Sequence, residues 1–263
     1  PPVSASSLCD AEKPMPTDSA IEVTVAGIKD IVGKFARAAE RAQEAGFDGL
    51  EIHGAHGYLI NSFLSPAWNK RQDAYGCADM KSRARFAVEI IGAVKASVGR
   101  DFPVGIRINA REWGHEKGIS YEEGQEFACM FQEAGADYIS VSGFGYGPYL
   151  NVHHPPFIMY PKPEKEMMPL VKLIKRQGIF VPAAEAIKKR ITIPVIVSGR
   201  LDPVIGEWIL RNGKADLIGI VRRIMADPDL PNKVISGKLD EIAPCTACDE
   251  CFGKLAEQKT VNC

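Results

Sequence analysis

The amino-acid sequence predicts an α/β fold in which a parallel sheet is covered by amphipathic helices. One recurring phrase carries much of that prediction: a helical pattern, then Gly, then Asp, then a short apolar run. It occurs in "EAGFDGLEI" ending at Ile52, in "EAGADYISV" ending at Val141 and in "RNGKADLIGI" ending at Ile220. The Gly supplies the left-handed turn that stops a helix, and the run after Asp reads as a buried parallel strand. The second observation is that the intervening stretches repeat apolar residues at helical spacing, so strands and helices alternate.

The elements follow in order. No element is expected before about residue 20, because "PPVSASSLCDAEKPMP" is polar and proline-rich. An opening of this kind, without Met, reads as cut from something longer. "IKDIVGKFARAAERAQEA" puts Ile28, Ile31, Val32, Phe35, Ala38, Ala39 and Ala42 on one helical stripe. A first strand begins near residue 48. "RARFAVEIIGAVKASV" forms the next helix, with Phe86, Ile90, Ile91 and Val94 inward, and leads into the strand "FPVGIRI" (102–108). Further strands begin near residues 137, 194 ("IPVIVSG", 193–199) and 216. This makes five βα units. A closed (β/α)8 barrel needs eight in about 250 residues, so three would be supplied elsewhere. An open doubly wound sheet also fits five strands, although no G-x-G-x-x-G follows any of them. Periodicity leaves both standing.

Bulk composition excludes several classes. The 32 basic and 33 acidic residues give a net charge of −1, so nothing marks a nucleic-acid or anionic-membrane surface. The longest apolar runs fall far short of a membrane span, and no secretory signal opens the chain. Seven cysteines, an odd number without a spread of pairs, argue for a reducing compartment, and the cytoplasm is expected.

Functional polar groups of a barrel enzyme stand just after the C-terminal ends of its strands. After the first strand comes "HGAHGYLINSFLSP", with His53, His56 and Tyr58. A lone histidine is ordinarily a hydrogen-bonded surface residue; two with a tyrosine at one strand end point to a site. A metal there is disfavoured, since no carboxylate or third His has ligand spacing. Arg107 lies inside an apolar strand and needs a partner there, either an internal salt bridge or a bound anionic cofactor. Ser198, Gly199 and Arg200 follow the fourth strand, and Val221, Arg222 and Arg223 the fifth. Matched arginines after two consecutive strands favour a phosphate site over ordinary helix-flanking charges.

These stretches resemble a known family. "AGFDGLEIHGAHGYLINSFLSPAWNKRQDAYG", "FPVGIRIN", "IPVIVSGR" and "ADLIGIVRRIMADPDLPNK" are similar, in order, to the old yellow enzyme family of FMN-dependent ene-reductases. The cysteine tail is similar to that of its iron–sulfur branch, the 2,4-dienoyl-CoA reductase and enoate reductase group. The resemblance implies a parallel (β/α)8 TIM barrel, of which this chain holds the C-terminal five βα units. It implies that His53 and His56 hydrogen-bond the substrate carbonyl and that Tyr58 protonates the α-carbon. It also implies that Arg107 lies beside the flavin, and that Ser198, Gly199, Arg200, Val221 and Arg222 help to bind FMN. Two positions depart from the family pattern. "YGCADMKSR" replaces "YGGS-x-E-N-R", and Val221 stands where a small residue is usual. The aromatic stretch 143–163 reads as a substrate cap or an ordinary loop, and no role falls to His153 and His154 within it.

The chain ends on "PCTACDECFGKLAEQKTVNC", with Cys245, Cys248, Cys251 and Cys263 spaced C-x2-C-x2-C-x11-C. Three thiolates in one short loop with a remote fourth fit a cubane [4Fe–4S] cluster, whereas structural zinc more often uses two separated C-x2-C hairpins. The resembling branch commonly has C-x2-C-x3-C-x11-C. Cys9, Cys77 and Cys129 are expected to take no part. The reading divides the chain into residues 1–240, a partial barrel with flavin and substrate sites, and residues 241–263, a cluster-binding segment. The resemblance further implies an unsaturated carbonyl substrate and a second domain carrying FAD and NAD(P)H. It also implies further barrel strands, and it allows a homo-oligomer. The competing expectation is a zinc-stabilised, non-catalytic barrel subunit, or a related amine dehydrogenase running oxidation.

Overall fold

The computed structural model describes residues 2–6, 20–146, 178–246, 248 and 250–263. Most of the aromatic stretch from 143 to 163, His153, His154 and Cys9 lie outside them. Strand β1 (Val3–Ser4) pairs in parallel with β2 (Ile21–Glu22). This corrects the expectation that nothing forms before residue 20. The cause is tertiary: the buried Arg71 guanidinium donates to Ala5 O at 2.9 Å and to Val23 O at 2.7 Å, joining both segments.

The main elements are α1 (Val25–Glu44), β3 (Leu50–Gly54), α2 (Leu59–Leu64), α3 (Met80–Val98), β4 (Val104–Trp113), α4 (Tyr121–Glu133) and β5 (Tyr138–Gly145). After the undescribed stretch come α5 (Val181–Lys188), β6 (Val195–Val197), α6 (Pro203–Arg211), β7 (Leu217–Ile218), α7 (Arg222–Ala226) and α8 (Leu230–Ile235). A 3-10 turn (Leu239–Glu241) and α9 (Glu250–Ala256) close the chain. The strands begin within about two residues of the expected positions. Short polar side chains start the long helices, as N-caps do: Thr24 accepts from Gly27 N–H, Asp79 from Ser82 N–H, and Ser120 with Glu123 forms a capping box.

Strands β3-β4-β5-β6-β7 form one parallel sheet in sequence order. Helix-stopping Gly46, Gly135 and Gly213 all have positive φ, as the recurring phrase requires. Its Asp is a clasp. Asp137 donates its N–H to Val104 O and accepts Val104 N–H at 2.7 Å; Asp216 does the same with Val195, at 2.9 Å. Each aspartate thus ties the start of its own strand to that of its neighbour. Lys95 and Lys188 neutralise these two carboxylates.

The two sheet faces differ because strand residues alternate. Ile52, Ile106, Ile139 and Val195 are in register, nearly fully buried, and turn towards the helices. Phe86, Ile90, Ile91 and Val94 of α3 are buried in the same core. On α1 only Ile28 and Ala39 are fully buried; Ile31, Val32 and Phe35 pack at the edge of the core, and Ala38 is exposed. The opposite face carries the register row His53, Arg107 and Ser140. Gly105 belongs to that face too, because a Cβ there would lie 2.1 Å from the Tyr138 ring. No helix among the described residues is long and apolar enough to cross a membrane.

Candidate active site

The polar face of the sheet ends in the loop after β3. Ala55 is fully buried there, His56 adopts φ 60° and Gly57 φ 75°. A left-handed non-glycine costs about 1–2 kcal/mol, so the turn persists only where its surroundings hold it. Here they do. His56 N–H donates to Asn109 Oδ1 at 3.2 Å, Gly57 N–H to Asn61 Oδ1 at 2.7 Å, and Tyr58 N–H to Ala55 O at 3.3 Å. The His56 ring is oriented by Ser142 Oγ, 2.7 Å from its Nε2.

The turn brings the three sequence-predicted residues together. The His53 ring centroid lies 5.0 Å from that of His56 and 5.1 Å from that of Tyr58. Tyr58 is 63% exposed on the open side. Among the described residues neither the His53 ring nor the Tyr58 hydroxyl has a hydrogen-bond partner. Desolvation of the covered part of the His53 ring, and then the Arg107 guanidinium, hold its pKa below the ordinary histidine value. His53 therefore tends to be neutral, with one ring N–H to donate.

Arg107 extends across the polar face. Its Nη2 donates to Ser198 Oγ at 2.9 Å, and Nη1 stands 3.5 Å from Ser140 Oγ and 3.8 Å from Glu51. Its Nε is buried without a partner. The Glu51 contact is the internal salt bridge weighed from the sequence, but it is long and leaves the guanidinium incompletely satisfied. Beyond Ser198, Gly199 (φ 109°) and Arg200 (φ 60°) turn the chain sharply, and a Cβ on Gly199 would lie 2.8 Å from Phe180. Arg223 ties this turn to α7 by donating to Leu201 O at 3.1 Å. The Val221 side chain is exposed at the start of α7.

Arg222 reaches a different space. With Met225 it lines a cavity of about 120 Å³ whose wall includes Cys245, Cys248, Cys251 and Cys263. Cys263 lines the same cavity as the other three, so the chain returns to it after α9. The Glu250 backbone N–H, and then the Thr246 hydroxyl, hold the Cys248 thiol below its ordinary pKa. Among the described residues no three His, Cys, Asp or Glu side chains converge closely enough to hold one metal ion. Cys77 and Cys129 lie elsewhere, and burial pushes both thiols up.

Residues 2–241 match the family described as NADH:flavin oxidoreductase / NADH oxidase. The chain belongs to that family. Among curated members it is 40% identical over 236 residues to the NADH oxidase of Thermoanaerobacter brockii, covering 88% of this chain and 33% of that protein. It is 36% identical over 259 residues to the metal reductase of Desulforamulus reducens, covering 96% and 36%. To the cinnamate reductase of Clostridium sporogenes it is 34% identical over 258 residues, covering 92% and 36%. The chain thus spans about a third of the length of these NADH:flavin oxidoreductase relatives. Among solved structures, 2-naphthoyl-CoA reductase superposes with a TM-score of 0.84 at 28% identity, over 100% of this chain and 37% of that one. Histamine dehydrogenase from Rhizobium sp. 4-9 gives 0.82 at 28%, over 100% and 35%. The five-stranded parallel sheet matches part of these larger oxidoreductases, which supports the barrel rather than the doubly wound sheet.

The sequence reading missed Ser142, Asn61, Asn109 and Glu112. A signal existed, since each is a polar residue inside a mostly buried strand or helix. That is the same signal that singled out Arg107.

Proposed function

We propose that this chain carries the flavin and substrate sites of an oxidoreductase that reduces a C=C bond conjugated to a carbonyl. The observation that carries this is the convergence of His53, His56 and Tyr58 on one open face beside Arg107. Two imidazoles side by side can donate to one carbonyl oxygen and stabilise the negative charge that develops there. Tyr58, with its hydroxyl unengaged, is suited to give a proton to the adjacent carbon as that charge forms. Arg107 fits a flavin, because its buried Nε lacks an acceptor and its charge would favour an anionic ring. Ser198, Gly199 and Arg200, in the turn after β6, would hold the phosphate and ring. Val221 and Arg222 follow β7 and would contribute through the backbone at the start of α7, since the Arg222 side chain lines the cysteine cavity instead. Bound FMN would supply the hydride. Cinnamate and the 2-naphthoyl thioester, named in two of the similar proteins, are both conjugated carbonyl compounds.

Cys245, Cys248, Cys251 and Cys263 would hold a [4Fe–4S] cluster, a one-electron carrier that suits delivery from a second domain carrying FAD and NAD(P)H. The cysteine spacing supports a cluster over zinc, since three thiols in one short loop with a remote fourth suit a cubane, whereas structural zinc more often uses two separated C-x2-C hairpins. A tetrahedral zinc needs its sulfurs about 2.3 Å from one point, whereas a cubane gives each thiolate its own iron around a volume. The four cysteines line one cavity.

Anaerobic turnover with an enoyl thioester, a free enoate and a cyclic enone tests the proposal. Reduction of at least one class is expected. Reaction with amines alone would replace it with the oxidative reading suggested by histamine dehydrogenase. About four iron and four sulfide per chain are expected on analysis; one zinc without sulfide would remove the electron relay.

A further inference from the structure

A buried carboxylate lies beneath the site and has no part in the roles above. Glu112 is 4% exposed. Its Oε1 accepts from Asn61 Nδ2 at 3.0 Å and from Asn109 Nδ2 at 3.1 Å. Its Oε2 accepts from Ser65 Oγ at 2.6 Å, Tyr146 Oη at 3.0 Å and Ile119 N–H at 3.2 Å. All of these donors are neutral. Burial, and then the Glu112 charge, push the Tyr146 phenol well above its ordinary pKa.

A carboxylate only accepts, whereas an amide has a donor end and an acceptor end. With both Nδ2 groups turned to Glu112, the Oδ1 atoms of Asn61 and Asn109 face the loop after β3. Those oxygens accept the N–H groups of Gly57 and His56. We propose that Glu112 is the positioning residue of this site: its negative charge sets the polarity of Asn61 and Asn109, and these two amides lock the left-handed turn that presents His56 and Tyr58. The inference rests on reading His56 and Tyr58 as substrate-facing groups. A neutral glutamine at 112 keeps the shape, but the Ile119 N–H holds its carbonyl oxygen at the Oε2 position, which sets its NH2 against the Asn61 and Asn109 NH2 groups. The asparagine amides are then free to reverse, and a reversed Asn109 sets an NH2 against His56 N–H.

Hydrogen–deuterium exchange on the flavin-loaded full chain tests this. In E112Q, peptides spanning 54–59 are expected to exchange at least about tenfold faster while peptides from β4 and β5 are unchanged. Enone reduction is expected to slow by roughly tenfold to a hundredfold, with kcat falling more than KM rises. If E112Q does not fold, S65A removes one donor to Oε2 without touching the loop, and the same local signature is expected at roughly threefold. Uniform acceleration across the sheet that tracks a fall in Tm would overturn the proposal, as would unchanged exchange at 54–59. If the unmodified protein reduces no conjugated carbonyl, the ene-reductase reading fails, and local acceleration in E112Q still supports the positioning role.

Discussion

Replacing Arg107 with methionine separates a flavin-binding arginine from a structural one, because the two roles predict opposite effects on the apoprotein. In the folded chain the buried Nε lacks an acceptor, a deficit of about 1–3 kcal/mol. Against it stand one good hydrogen bond, Nη2 to Ser198 Oγ at 2.9 Å, and the 3.8 Å contact to a partly exposed Glu51. A neutral-partner hydrogen bond contributes about 1 kcal/mol and a screened surface pair about 0–1 kcal/mol. The contributions nearly offset, so Arg107→Met is expected to change apoprotein stability by less than about 1 kcal/mol. Flavin binding should respond differently. A charge-assisted hydrogen bond to the ring is worth about 1.5–3 kcal/mol, which corresponds to a roughly tenfold to hundredfold rise in Kd. Thermal melting of the apoprotein, paired with titration of FMN fluorescence, measures both quantities. A large loss of apoprotein stability with unchanged FMN affinity would make Arg107 an internal structural ion rather than a flavin ligand.

Other expectations follow from the same geometry. Tyr58→Phe should leave reduction of the flavin by NADH nearly intact and slow its reoxidation by substrate roughly a hundredfold or more, as loss of a general acid does; stopped-flow absorbance separates the half-reactions, and equal losses in both would make Tyr58 structural. His53 has a folded pKa held below its unfolded value, so the unfolded chain binds the extra proton first. Stability should therefore decline as pH falls below about 6.5. His53→Gln should flatten that decline in denaturant titrations, and an unchanged slope would contradict the assignment. Burial opposes ionisation of Asp216, but Lys188 and the Val195 N–H outweigh it and hold the carboxyl low. Its stabilising contribution is thus present above about pH 3.9 and is lost as pH falls through the lowered folded value. Asp216→Ala should cost about 1–3 kcal/mol at neutral pH by freeing the Val195 N–H, and urea melts that match the unmodified protein would show the clasp to be idle.

Much of this architecture was legible in the chain because its signals are local. Gly followed by Asp and an apolar run marks the starts of β3, β5 and β7, since the glycine supplies a φ above zero there, and the aspartates of β5 and β7 clasp the neighbouring strand. His53, His56 and Tyr58 were legible because they are neighbours in sequence at a strand end. Arg107 stood out because a charge inside an apolar strand has to be explained. The pairing of Val3–Ser4 with Ile21–Glu22 was not legible, because it depends on a guanidinium about fifty to seventy residues away. Glu112, Asn61 and Asn109 stood out only as polar residues inside their elements; their joint role was not legible, because only the sheet and α2 bring them within hydrogen-bonding distance. Side-chain chemistry and backbone turns are encoded by adjacent residues and so can be read in order. The partner of a buried polar group is set by which strands align, and only the folded structure brings those strands into register.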